Sequence, residues 1–212
     1  APVTGETITH KKPMLSLNKV YSQDDLFAWI ASVSRNDDEK FLIQPKYDGI
    51  SCHFKNGVYA TRGDGNVGQN ITNACRELCK FETACDKADF YGEIVIRKSV
   101  FDTVYKNIKN GTGKNFKNSR NAVAGILGTD DISFYSKQGA TLTLIDYDKN
   151  SYAILKKDFD KKWDIFKSVI TSLDFPIDGI VIKLADTEYS ESLGFTSHHP
   201  KGQIAFKFDN QT

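Results

Sequence analysis

Lys46, Asp48 and Gly49 put an amine, a carboxylate and a glycine within four consecutive positions, Lys46-Tyr47-Asp48-Gly49. Alone the pattern is weak: three fixed residue types, each at roughly one position in 15, recur by chance in about one chain in 20 of this length. A solvated turn with a surface lysine explains it better. The weight comes from an ordered set of residues downstream. Arg62-Gly63-Asp64-Gly65, Gly92-Glu93, Asn118-Ser119-Arg120-Asn121, the run Asp178 to Lys183, and Ala205-Phe206-Lys207-Phe208 succeed one another along the chain. Lys183 and Lys207 sit among apolar residues with strand character, where an amine is costly unless it faces an anion. A polyphosphate supplies that partner. A lysine attacks phosphorus only as the free amine, and an ordinary pKa of about 10.4 leaves little of that form at neutral pH. Neighbouring cations and partial desolvation favour it.

The elements that must position these residues are legible from periodicity. Met14 to Val33 reads as an extended stretch and then a helix, with Ser22 and Asp25 as an approximate capping box and Leu26, Phe27, Ile30 and Val33 as its apolar stripe. Phe41-Leu42-Ile43 is a short buried strand, and Lys46 then falls in the turn before a hairpin. The hairpin alternates Ile50, Cys52 and Phe54, turns at Asn56-Gly57 and returns through Val58 to Thr61. Helices are expected over Ile71–Cys79 and Ser99–Ile108, and strands over Phe90–Ile96 and Leu142–Tyr147. Gly111 to Ser119 reads as a mobile loop leading into a helix from Arg120 capped by Ser119. Tyr152–Leu173 reads as one long helix with Trp163 and Phe166 inward, followed by strands at Gly179–Leu184 and Ile204–Phe208. Strands and helices mix without βαβ alternation, which gives an α+β class with largely antiparallel sheets.

The 212 residues carry a formal net charge of +1, so any grip on nucleic acid must be local or come from another domain. No apolar run approaches the roughly 20 residues that cross a bilayer, and no secretory signal opens the chain, which points to the cytoplasm. Cys75 and Cys79 lie one helical turn apart and read as two small apolar core residues rather than a metal pair, since no second pair or nearby histidine completes a zinc set; with Cys52 and Cys85 they make no disulfide framework. His53 reads as structural. His198-His199 reads as an exposed loop pair, with a phosphate contact as the alternative. Lys106, Lys109, Lys114 and Lys117 form a basic stretch that is either solvated or in contact with DNA phosphates.

The ordered set resembles the nucleotidyltransferase (adenylation) domain of NAD-dependent DNA ligases from about Met14 to the C-terminus. Met14-Leu15-Ser16-Leu17, Lys46-Tyr47-Asp48-Gly49, Thr61 to Gly65, Asn118 to Gly125, Ile177 to Lys183 and Leu193-Gly194-Phe195-Thr196-Ser197 carry the likeness. It implies a nucleotidyltransferase (ATP-grasp-like) fold, antiparallel sheets flanked by helices, over residues 14–212, with residues 1–13 as an N-terminal extension. It also implies that Lys46 is adenylated from NAD, with nicotinamide mononucleotide released, and that Lys183 and Lys207 stabilise charge on the α-phosphate. Asp48 and Glu93 would hold the ribose or orient the lysine. Gly49 and Gln44 join the cofactor-binding set, and Arg62 and Arg120 contact the phosphates or leaving group. Tyr147 would stack on adenine, a core strand tyrosine being the plainer alternative, and Asp178 would place Mg²⁺. The implied partners are nicked duplex DNA and the OB-fold, zinc-finger and helix-hairpin-helix modules of the family, on further domains or a second subunit.

Three positions depart from the family pattern. Gln44 stands where the family has a glutamate that reads the adenine amino group, which loosens the expected base selectivity because an amide can accept or donate. Gly128 replaces an arginine and Gln69 an acidic residue. Little of the family's nicotinamide-gripping N-terminal module fits before Met14. The divergence suggests a viral enzyme acting in host cytoplasm, a split-ligase subunit or a fragment of a longer ligase. Two other readings remain open: an ATP-dependent adenylyltransferase of the same fold, and a catalytically degenerate nucleotide- or DNA-binding module.

Overall fold

The computed structural model describes residues 6–82 and 87–208. In chain order the elements are β1 (Thr7–Thr9), β2 (Lys19–Val20), α1 (Gln23–Val33), β3 (Lys40–Tyr47), β4 (Ile50–Lys55), β5 (Val58–Thr61), β6 (Val67–Gln69), α2 (Thr72–Leu78), β7 (Cys79–Phe81) and β8 (Asp89–Val95). They continue with α3 (Lys98–Thr103), α4 (Ser119–Leu127), α5 (Ile132–Ser136), β9 (Leu142–Asp146), β10 (Tyr152–Leu155), α6 (Phe159–Thr171), β11 (Ile177–Leu184), α7 (Thr187–Ser192) and β12 (Gln203–Lys207). Most strand pairings are antiparallel; β12 with β2 and β7 with β9 are parallel. The class is α+β, as the sequence implied. The chain divides into two compact units: Ala1–Met14 with Tyr47–Tyr147 and Asp174–Pro176, and Leu15–Lys46 with Asp148–Leu173 and Ile177–Thr212.

The first unit is built on a five-stranded sheet in the order β5-β4-β8-β9-β7, with β1 and β6 paired beside it as a separate ribbon. Alternation puts Cys52, Phe90, Ile94, Leu142 and Leu144 into a core with Cys75, Leu78, Val123 and Ile126 from α2 and α4. The β4–β5 hairpin turns at Asn56 and Gly57, both at positive φ (51° and 80°), the backbone that a tight two-residue turn demands. In the second unit the order is β10-β3-β11-β12-β2. One sheet face carries Phe41, Ile43, Ile154, Ile180, Ile182 and Phe206 against Leu26 and Ile30 of α1 and Trp163 and Ile170 of α6. Trp163 is fully buried and meets Phe206 edge-on at 5.3 Å. Truncating such an indole ordinarily costs about 3–5 kcal/mol, so this core leans heavily on α6.

Several expected boundaries move. Tyr152–Leu155 is an edge strand and not the start of a helix, because Tyr152 and Ile154 alternate and pair with Ile43 and Phe41 of β3. The helix begins at Phe159. β3 runs on through Lys46, which therefore lies in the strand and not in a turn. The cap of α4 is Asn118, whose side chain accepts from the Asn121 N–H, one residue earlier than expected. Ser22 caps α1 as read from the sequence, accepting from Asp25 N–H at 3.1 Å. The expected helix over Ser99–Ile108 ends at Thr103 and continues as a 3₁₀ turn. Cys79 opens β7 rather than closing α2. Cys52 and Cys75 are core residues, Cys79 is partly buried, and all three thiols are free. Contact with the Cys52 and Cys79 thiols, then burial, pushes the Cys75 thiol up, which makes it inert. Cys85 lies outside the described residues.

Candidate active site

The residues singled out by sequence fall into two groups, one within each unit. In the second unit the core face of the sheet is fixed by Phe41 and Ile43 on β3, Ile180 and Ile182 on β11, and Ile204 and Phe206 on β12. A strand alternates its side chains, so Gln44, Lys46, Lys183 and Lys207 project from the opposite face. The β11–β12 register sets Lys207 opposite Gly179 and Lys183 opposite Gln203. Glycine is needed at position 179, because a Cβ there would come within 2.3 Å of Phe206 O. Three amines on one sheet face repel one another and call for anions.

Part of that demand is met within the unit. Lys46 Nζ lies 3.3 Å from Asp178 Oδ1, with both side chains about a quarter exposed. Lys183 Nζ lies 3.7 Å from Asp148 Oδ1, an exposed carboxylate that solvent screens. Lys207 has no carboxylate partner among the described residues. Gln44 is 4% exposed, and its amide nitrogen donates to Ser151 Oγ at 2.6 Å. Among the described residues its carbonyl oxygen accepts nothing, yet no buried polar side-chain atom is left unpaired, so that oxygen reaches solvent.

In the first unit Glu93 is the centre. The residue is 7% exposed, and its Oε2 accepts from Gly49 N–H at 3.1 Å. The Tyr147 hydroxyl donates to Oε1, and Ser51 Oγ lies 3.2 Å from the same oxygen and 2.7 Å from the Tyr147 hydroxyl. The β4–β8 register sets Ser51 across from Glu93, a pairing that no motif flagged. Burial first, then the Glu93 charge, pushes the Tyr147 phenol well above its usual value. A group raised in the fold contributes stability fully below its unfolded pKa of about 10 and loses it as pH rises further. Tyr147→Phe is therefore expected to flatten the loss of stability above about pH 10, read from urea midpoints across pH; an unaltered alkaline slope counts against this.

Asp48 pairs with Arg120 at 3.6 Å across a half-exposed gap, while its N–H donates to Pro176 O. Arg62 is exposed and opens the tight turn from β5 to β6. Asp64 Oδ1 closes that turn by accepting from Asn66 and Val67 N–H, which holds its carboxyl below the usual range. Gly63 and Gly65 sit at φ 59° and 98°, so the turn itself requires them. Gln69 anchors to Thr61 and to the Leu127 carbonyl, and Gly128 ends α4. His53 and His199 hold structure. His53 bonds Asp89 at 2.6 Å and stacks on Tyr91 at 4.1 Å, and His199 Nδ1 donates to Ser16 O at 3.0 Å. Besides Ser51, the residues sequence reasoning missed are Ser151 and Asp148, which lie in no motif and reach their partners only through tertiary contact.

Among the described residues no group of three or more His, Cys, Asp or Glu could hold a metal ion, and no helix is long and apolar enough to cross a membrane. A family model described as the NAD-dependent DNA ligase adenylation domain matches residues 4–171 and 155–211. The DNA ligase of Borrelia garinii is 32% identical over 243 residues, covering 96% of this chain and 36% of its own length. Those of Sulfurihydrogenibium azorense and Mycoplasmopsis agalactiae are 30% and 29% identical, covering 95% and 94% of this chain and 36% and 35% of their own lengths. The chain thus spans little more than a third of the curated relatives it matches.

Proposed function

The chain belongs to the adenylation-domain family of NAD-dependent DNA ligases, and from that premise we propose that Lys46 is the residue adenylated from NAD. Its neutral amine attacks the α-phosphorus of the adenylate half. The N–P bond forms as the P–O bond to nicotinamide mononucleotide breaks, the leaving phosphate keeps that electron pair, and the amine's extra proton passes to solvent. Lys183 and Lys207 neutralise the charge that develops on the α-phosphate. The observation that carries this reading is the shared sheet face: three amines project from one side of β3, β11 and β12, where a polyphosphate is the natural counter-charge.

Asp178 offers one hard oxygen ligand, which fits Mg²⁺, since that ion takes one or two carboxylates and completes its shell with phosphates and water. When bound it supplies charge neutralisation to the phosphates. Glu93, fixed by Gly49, Ser51 and Tyr147, is set to accept ribose hydroxyls, with Asp48 assisting. Arg62 and Arg120 serve phosphate oxygens, and Tyr147 offers its ring to the base. Nick sealing in DNA, with OB-fold, zinc-finger and helix-hairpin-helix modules on further domains or a partner subunit, is the larger reaction this half-step would serve. Intact mass after incubation with NAD, and separately with ATP, tests the reading. A gain of one AMP with NAD is expected; a gain with ATP alone would overturn the donor.

Gln44 supports adenine selectivity despite its departure from the family's glutamate. With its nitrogen committed to Ser151, the amide presents an acceptor, which suits the 6-amino group of adenine and rejects a 6-oxo purine. Ser151→Ala frees the amide to turn. The ratio of GMP to AMP adduct from equal nicotinamide guanine and adenine dinucleotides should then rise by roughly tenfold, on the scale of one hydrogen bond. An unchanged ratio removes Ser151 from the recognition of the base.

A further inference from the structure

Residues 103–129 hold Lys106, Lys109, Lys114, Lys117 and Arg120 and no acidic residue, in a chain whose net charge is only +1. Composition alone reads much of this segment as a mobile loop. Instead it is pinned. Asn110 Oδ1 accepts from Thr112 N–H, Thr112 Oγ1 and Lys114 N–H, and Asn110 N–H donates to Lys114 O at 2.7 Å. Lys109 and Asn115 form an isolated β-bridge, so residues 109–115 make a short hairpin. Gln138, just after α5, clamps one arm by accepting from Lys109 N–H at 2.7 Å and donating to Lys109 O at 3.1 Å. Phe116 anchors the other arm against Gly125 of α4, where a Cβ would meet the ring at 2.9 Å.

The four lysines are exposed, and none is in an ion pair among the described residues; Lys109 bonds only the Asn115 side chain. Between the hairpin and α5 lies an open depression of about 550 Å³, rimmed by Lys109 and Lys137, floored in part by Gly111 and Gly113, with Phe134 at its edge 40% exposed. Asp131 also lines it, but its carboxylate is engaged with Ser133 Oγ. A solvated loop has no need of this much internal bonding. A backbone held in place that carries unpaired lysines, with no acidic residue along the segment, is what a row of phosphates selects, because less of the segment has to be ordered on binding.

We infer that the segment Lys106–Lys117, with its hairpin at residues 109–115, is a docking surface for the phosphodiester backbone of DNA, with the strand lying along the depression beside Phe134. The inference rests on the ligase reading for its choice of polyanion. The surface reads no sequence, since lysines contacting phosphates position a duplex without specifying it.

The test compares the chain with its Lys106→Ala/Lys109→Ala/Lys114→Ala/Lys117→Ala variant, the matching four-arginine variant, and a Lys11→Ala/Lys12→Ala/Lys161→Ala control. The probe is a fluorescein-labelled nicked duplex, followed by anisotropy from 20 to 200 mM salt. Each lysine–phosphate pair removed should lower the log–log salt slope by about 0.9. The alanine variant should bind at least ~10-fold more weakly at the lowest salt, with a slope reduced by at least about two such increments, while the arginine variant and the control bind as the parent does. Equal affinity and slope for parent and alanine variant, or equal weakening in the control, overturns the inference, as does a parent that does not bind. Circular dichroism checks the fold of each variant. Adduct mass with NAD is read in parallel: an adduct without hairpin-dependent binding sinks this surface alone, and hairpin-dependent binding without an adduct sinks the lysine assignment alone.

Discussion

Lys46→Ala is expected to yield no AMP adduct with NAD, whereas the parent chain should gain one AMP per molecule. The expected loss exceeds roughly 10³-fold, because removing a nucleophile removes the covalent route and leaves only binding. The substitution should barely touch stability. Lys46 is partly exposed, and its pair with Asp178 at 3.3 Å is screened, so the midpoint of unfolding should stay within a few degrees of the parent's. Lys46→Arg separates charge from nucleophilicity: it keeps a cation beside Asp178 but has no amine that can lose its proton, since a guanidinium stays charged. It should bind NAD and form no adduct. A Lys46→Ala chain that still gains AMP mass, stable to denaturation, would move the nucleophile elsewhere. Lys183→Ala and Lys207→Ala are the natural companions, expected to slow the adduct while leaving it detectable.

Gly49→Ala should be strongly damaging in the first unit. A Cβ at Gly49 would lie 2.1 Å from Ile94 O and 2.8 Å from Val95 Cγ1, both on the neighbouring strand β8. Backbone cannot yield as a flexible side chain can, so β4 must lift away from β8. That movement also breaks the Gly49 N–H bond to Glu93, leaving a buried carboxylate short of a donor. The cost is about 3 kcal/mol or more, which lowers the thermal midpoint by about 6–12 °C in a chain of this size. Gly111→Ala is the matched control, since nothing lies within 4 Å of its added methyl. Equal midpoints for the two variants would mean that β4 and β8 tolerate the separation. Adduct yield measured well below the lowered midpoint then asks whether Glu93 still acts once Gly49 no longer holds it.

Most of the element types are readable because their signals are local. The Asn56-Gly57 turn, the Ser22 cap and the apolar stripe of α1 depend on residues a few positions apart, and each stands as the periodicity indicates. The differences share one cause. Tyr152–Leu155 reads as helix because Lys156, Lys157 and the stripe through Trp163 and Phe166 extend a helical pattern backwards. Pairing with β3, more than a hundred residues earlier, overrides it. The contacts of the Gly111–Ser119 loop escape the sequence for the same reason, since Gln138 and Gly125, which hold its two arms, lie beyond the segment itself.

Residue order alone was enough to mark Lys46, Glu93, Asp178, Lys183 and Lys207 and to assign the family, because the charged residues that a nucleotide-handling chemistry demands sit in local motifs that succeed one another in a fixed order. The fold decided what each marked side chain touches: Glu93 held by Gly49, Ser51 and Tyr147, Gln44 turned by Ser151, three amines set on one sheet face. Strand register and the turning of a side chain come from pairing between distant segments. A composition or a spacing carries no record of which distant partner won.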